Sequence, residues 1–90
     1  MLYMVVEHYK NGDARPVYRR FRDKGRMMPD GLEYLSSWTD DKMERCYQLM
    51  KAERRELFDA WIANWSDIVD FEVCEVTTSQ KAAERIAPRL

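Results

Sequence analysis

Residues 32–51, "LEYLSSWTDDKMERCYQLMK", decide the fold. They contain two aromatic and apolar stretches of strand length, separated by the polar run Asp40-Asp41-Lys42-Met43. Two such runs joined by a short polar loop read as a β-hairpin. The loop length then decides which side chains share a face, because successive residues of a strand point to opposite sides. A four-residue loop sets Trp38 opposite Arg45 and Ser36 opposite Tyr47. One face then carries Tyr34, Ser36, Trp38, Tyr47 and Leu49, and the other Leu35, Ser37, Cys46 and Gln48. A three-residue loop would join Trp38 to Cys46 and Gln48 instead. The four-residue loop is favoured because it separates an aromatic face from a smaller, more polar one.

Working outward, "LYMVVEHY" (2–9) is β-branched, aromatic and apolar, and the turn-forming Asn11-Gly12 closes it. It reads as the first strand. Asp13 is placed to cap a helix, with Pro16 in the first turn where a missing N–H costs little. The spacing of Ala14, Val17, Tyr18, Phe21, Gly25 and Met28 makes that helix amphipathic and carries it to about Met28. Pro29-Asp30-Gly31 marks a turn. Beyond the hairpin, residues 53–67 return to helical spacing, with Leu57, Trp61, Trp65 and Ile68 on one line. "VDFEVCEV" (69–76) alternates as a strand, and Ser79 is placed to cap a short terminal helix stopped by Pro88. The order β-α-β-β-α-β is the ferredoxin-like arrangement: an α+β fold with a four-stranded antiparallel sheet and, here, a short C-terminal helix. Its first and third strands are central, and both main helices lie on one face. Residues 1–90 form one domain, near the size at which a chain buries just enough surface to be stable alone.

The formal net charge of −1 hides an asymmetry. Lys10 to Arg26 is basic, while Asp30 to Glu75 is mostly acidic. Arginines spread around a helix without aromatic interleaving, beside an acidic remainder, argue against nucleic-acid binding. The opening residues are apolar too briefly for a secretory signal or a membrane span, which predicts a cytoplasmic protein with no membrane contact. Cys46 and Cys74 lack metal or redox spacing and read as buried free thiols. They flank the first strand on opposite sides, too far apart for a disulfide. No metal or cofactor is expected: His8 is the only histidine, and there is no serine elbow and no Cys-His motif.

The blocks "MLYMVVEHYKNGDARPVYRRFRDKGRMMPDGL", "SSWTDDKMERCYQLM" and "LFDAWIANWSDIVDFEV" resemble the bacterial domain-of-unknown-function family 3303 over nearly the whole chain. The resemblance implies a dimeric α/β-barrel, the assembly also used by antibiotic-biosynthesis monooxygenases and muconolactone isomerases. It implies no activity. The residues give an independent reason for dimerisation, since apolar side chains fall on both faces of the strands and the helices cover only one.

Six residues are candidates for a ligand site: His8, Arg26, Tyr34, Trp38, Gln48 and Trp61. A histidine at the end of the first strand, beside a tryptophan, would orient a small planar molecule. Gln48 would add a polar contact, with its face set by the loop length. Arg26, after Gly25 at the helix end, is placed to meet a carboxylate or to bond the terminal carbonyls of its own helix. Trp61 belongs to the aromatic stripe between helix and sheet, and Tyr34 stands in the hairpin. All six would also serve as core and dimer interface. Three functions stay open. The first is a homodimer binding a small molecule, aromatic ones included, between sheet and helices. The second is a cofactor-independent monooxygenase or isomerase, and the third a protein-interaction module without a ligand.

Overall fold

The computed structural model describes residues 1–90. Strand β1 (Leu2–Tyr9) leads through a turn into helix α1 (Arg15–Lys24), and β2 (Leu32–Thr39) and β3 (Arg45–Ala52) form the hairpin. Helix α2 (Leu57–Ala63), β4 (Val69–Val76) and helix α3 (Ser79–Ile86) follow. The strands lie in the order β2-β3-β1-β4 and all pair antiparallel. The chain has the expected ferredoxin-like α+β topology.

Local chemistry explains where elements stop. Helix α1 ends at Lys24, short of Met28, because Gly25 takes a positive φ of 69° while its N–H donates to Phe21 O. Met27 is also left-handed, at φ 58°. The Asp13 carboxylate accepts the Arg15 N–H at 3.0 Å, although Ala14 holds the cap position itself. Helix α2 starts at Leu57 rather than near Glu53, the preceding residues turning in three-residue steps. Helix α3 takes its cap from Thr78, whose Oγ1 accepts the Lys81 N–H at 3.1 Å, and not from Ser79.

The hairpin register departs from both loop readings. Trp38 faces Tyr47, Ser37 faces Gln48 and Thr39 faces Cys46, whereas Tyr34 faces Met50. Leu35 is an extra residue between these pairs, forming a β-bulge. Ser36, Trp38, Tyr47 and Leu49 share a face, as do Ser37, Cys46 and Gln48, in agreement with the four-residue loop. The bulge transfers Tyr34 to the second group, where its hydroxyl lies 2.6 Å from Ser37 Oγ. The loop closes on Asp40, whose carboxylate accepts the N–H groups of Glu44 and Arg45 at 2.9 and 2.8 Å.

The core lies between α1, α2 and one face of the sheet. Tyr3, Val5 and Tyr9 of β1 and Met50 of β3 are buried there with Val17, Phe58, Trp61, Trp65 and Val69. The other face carries Leu2, Met4, Val6 and His8 of β1 with Tyr47 and Leu49 of β3, all half-buried, and the exposed Leu35 and Trp38. No helix buries a residue against it: α3 has no buried residue, and only its Lys81 and Arg85 border this side, around a surface hollow shared with Leu2, Glu33, Leu35 and Lys51. Cys46 is buried, but Cys74 is exposed on this open face, because β4 is an edge strand. No helix is long and apolar enough to cross a membrane.

Candidate functional site

The site starts from Glu7. In β1 it shares its side with Tyr3, Val5 and Tyr9, so the alternation that buries those residues buries a carboxylate as well, leaving it 7% exposed. Gln48 comes in diagonally from β3, and its Nε2 donates to Glu7 Oε2 at 2.6 Å. Gln48 is 5% exposed, and its Oε1 has no hydrogen-bond partner. A buried amide oxygen without a donor costs free energy, on the order of 1–3 kcal/mol.

Beside this pair lies a cavity of about 190 Å³ between the sheet and the helices. Its floor is the sheet, contributing Glu7 and Tyr9 from β1, Ser37 and Thr39 from β2, and Cys46 and Gln48 from β3. Val17, Tyr18 and Phe21 of α1 form one wall, with Trp61 and Trp65 behind. Tyr18 and Phe21 are half exposed, so the cavity opens beside α1. For scale, a cavity of about 150 Å³ lined by apolar side chains holds benzene.

Arg26 completes the wall and is held by its backbone. Its carbonyl oxygen accepts both indole N–H groups, from Trp61 at 3.1 Å and Trp65 at 3.0 Å. The left-handed residues on either side, Gly25 and Met27, let the chain turn sharply to meet the two rings. The guanidinium lies 3.7 Å over the Tyr34 ring and 5.0 Å from the Phe21 centroid, and it forms no ion pair. Aromatic stacking of this kind orients the cation and leaves its donors available.

Electrostatics follows from burial. Removal from water lifts the Glu7 carboxyl from its ordinary 4.5 to about 7, against the pull of the Arg26 charge and the Gln48 hydrogen bond. Burial and the neighbouring Glu7 push the Cys46 thiol up, and burial with Cys46 pushes the Tyr9 phenol up. Glu7 is therefore the one lining group able both to accept and to release a proton near neutral pH.

Of the six residues singled out from the sequence, Arg26, Gln48 and Trp61 line this cavity, and Tyr34 lies under Arg26. His8 and Trp38 are not with them. His8 faces Arg45 and Asp70 on the open side of the sheet, and its Nε2 lies 2.8 Å from Glu72 Oε1. Trp38 is 58% exposed on that same side. A single ligand between sheet and helices therefore does not touch both Trp38 and Gln48. Glu7 is not among the six residues singled out from the sequence. Its parity with Tyr3, Val5 and Tyr9 was the signal that it faces the helices. No group of His, Cys, Asp and Glu side chains is arranged to hold a metal ion.

Among known proteins, the family described as Domain of unknown function (DUF3303) matches the chain over residues 1–90, and the chain belongs to it. No curated protein and no solved structure matches.

Proposed function

We propose that this member of the DUF3303 family is a cytoplasmic homodimer that binds one small planar carboxylate, aromatic acids among them, between its sheet and helices. The reading rests on Arg26, a guanidinium without an ion pair in the wall of a cavity large enough for one ring. Gln48 Oε1, a buried acceptor without a donor, would take a hydroxyl carried by such a ligand, a group that benzoate itself lacks. Arg26 sets the charge: it is the only cation lining the cavity, and no protein carboxylate pairs with it. Trp61, Trp65 and Phe21 supply the apolar area that small-ligand sites need around a few placed polar groups.

Dimerisation has separate support in the open sheet face, where Met4, Val6, Tyr47, Leu49, Leu35 and Trp38 form an apolar surface that a second sheet would cover. The third reading, an interaction module, draws on α3, which has no buried residue and leaves Ile86 46% exposed.

Benzoate is the simplest probe of the cavity. It should raise the melting temperature of the wild-type protein in a saturable way and do so far less with Arg26→Ala. Equal stabilisation of both proteins, or of neither, would remove the binding reading.

A further inference from the structure

Building on the carboxylate-binding reading, we propose that Glu7 is the catalytic residue of a proton-transfer reaction, moving a proton to and from a carbon next to a carbonyl in an enolisable carboxylate held by Arg26. The arrangement has the parts that such chemistry needs. A base must be buried yet border the space where substrate lies, and Glu7 meets both conditions. It must be fixed in place, and the 2.6 Å bond from Gln48 fixes one oxygen while leaving Oε1 unbonded. A cation must anchor the substrate without neutralising the base. Arg26 lines the same cavity as Glu7, lowers its proton affinity through space, and makes no ion pair with it.

The step balances without an oxidant or any further reactant. Ionised Glu7 takes the proton from the carbon acid, and the electron pair of the broken C–H bond moves into the adjacent carbonyl to give an enolate. Neutral Glu7 then returns the proton to the same carbon, which is exchange, or to a conjugated one, which is isomerisation. A base works best when its proton affinity lies near the working pH, and burial brings Glu7 to about 7. The other titratable groups around the cavity are Tyr9 on the same strand, Cys46 on β3, Tyr18 on α1 and Arg26 after it, while α2 and the residues that follow it present only the Trp61 and Trp65 indoles. Burial disfavours the charged forms of Tyr9 and Cys46, so neither competes as a base at neutral pH.

Phenylpyruvate, with one ring, one carboxylate and an acidic methylene, is a suitable substrate probe, and benzoate, lacking the methylene, is its binding control. In D₂O, proton NMR should show wild-type protein accelerating loss of the phenylpyruvate methylene signal about 10²-fold or more over buffer. The rate should rise with pH with the same midpoint as the ¹³C-observed titration of the Glu7 carboxyl in wild-type protein, a comparison that needs no variant. Glu7→Gln should abolish the acceleration while binding benzoate at least as tightly as wild type. Glu7→Asp, which keeps the carboxylate but retracts it, should recover part of the rate. Acceleration that survives in Glu7→Gln, or whose midpoint departs from the Glu7 titration, would overturn the proposal. So would benzoate binding without any acceleration, which would leave the binding reading standing. Failure to bind benzoate would bring down both.

Discussion

Gln48 Nε2 donates to Glu7 at 2.6 Å while Gln48 Oε1, on the same buried amide, is bonded to nothing. The pair therefore holds its carboxylate at a cost that changes with pH. The folded state favours protonated Glu7, so the stability this group contributes is complete below its ordinary value of 4.5 and is lost as pH rises through about 7. Glu7→Gln keeps the shape and removes the buried charge. It should be more stable than wild type by up to about 3 kcal/mol above pH 7, with the difference opening between pH 4.5 and 7 and vanishing below. Urea unfolding at a series of pH values reads this directly. A difference independent of pH would show that Glu7 is not held in this environment.

The two indoles on the Arg26 carbonyl make a second test. Trp65→Phe keeps most of the apolar volume and removes one of the two N–H donors, so it should cost on the order of 1–2 kcal/mol. It should also weaken benzoate binding, because Arg26 loses part of its anchor. Trp61→Ala, at a fully buried ring, should cost about 3–5 kcal/mol. Chemical denaturation of each variant beside a benzoate titration separates loss of stability from loss of binding.

The thiols should differ sharply. Cys74 is exposed on an edge strand, whereas Cys46 is buried and its thiol is pushed up by burial and by Glu7. On the chain with its open sheet face uncovered, a disulfide-exchange reagent should therefore label Cys74 quickly and Cys46 only as the chain opens. Two fast thiols would place Cys46 outside the core.

Sedimentation should find the 10.8 kDa chain at about twice its mass at micromolar concentration. Leu49→Lys, in the middle of the open face, should shift it to monomer without disturbing the helix side. A wild-type monomer would mean that something other than a second copy covers that face.

His8→Ala should change neither benzoate binding nor, by more than about 0.5 kcal/mol, the stability of the fold. The His8–Glu72 contact is partly exposed and stands across the sheet from the cavity. A large loss of benzoate affinity would move the ligand to the open face.

The strands were legible because their residue types and spacing are unambiguous. Leu2–Tyr9, Leu32–Thr39 and Val69–Val76 stand where alternation and turn residues put them. The site was harder to read because both faces of β1 are apolar. Glu7 and His8 are adjacent polar residues in such a strand, and chemistry alone favoured the histidine. Which one is buried depends on where the helices sit, a property of the assembled fold. Arg26 was placed correctly at the helix end, but the two indoles that hold its carbonyl come from residues 35 and 39 positions away. Tyr34 reached the cavity side through a bulge, which adds a residue without leaving any mark in the hydrophobic pattern.

That bulge also makes Leu35 the dispensable residue of its strand. Tyr34 already pairs with Met50 and Ser36 with Leu49, neighbours on the facing strand. A chain with Leu35 deleted would close into a plain ladder with every remaining side chain on its present side, Tyr34 still beneath Arg26. Losing a regularly paired neighbour instead would throw half the strand to the wrong side of the sheet. The hairpin thus holds one position where its length can vary by a single codon while the cavity keeps its floor.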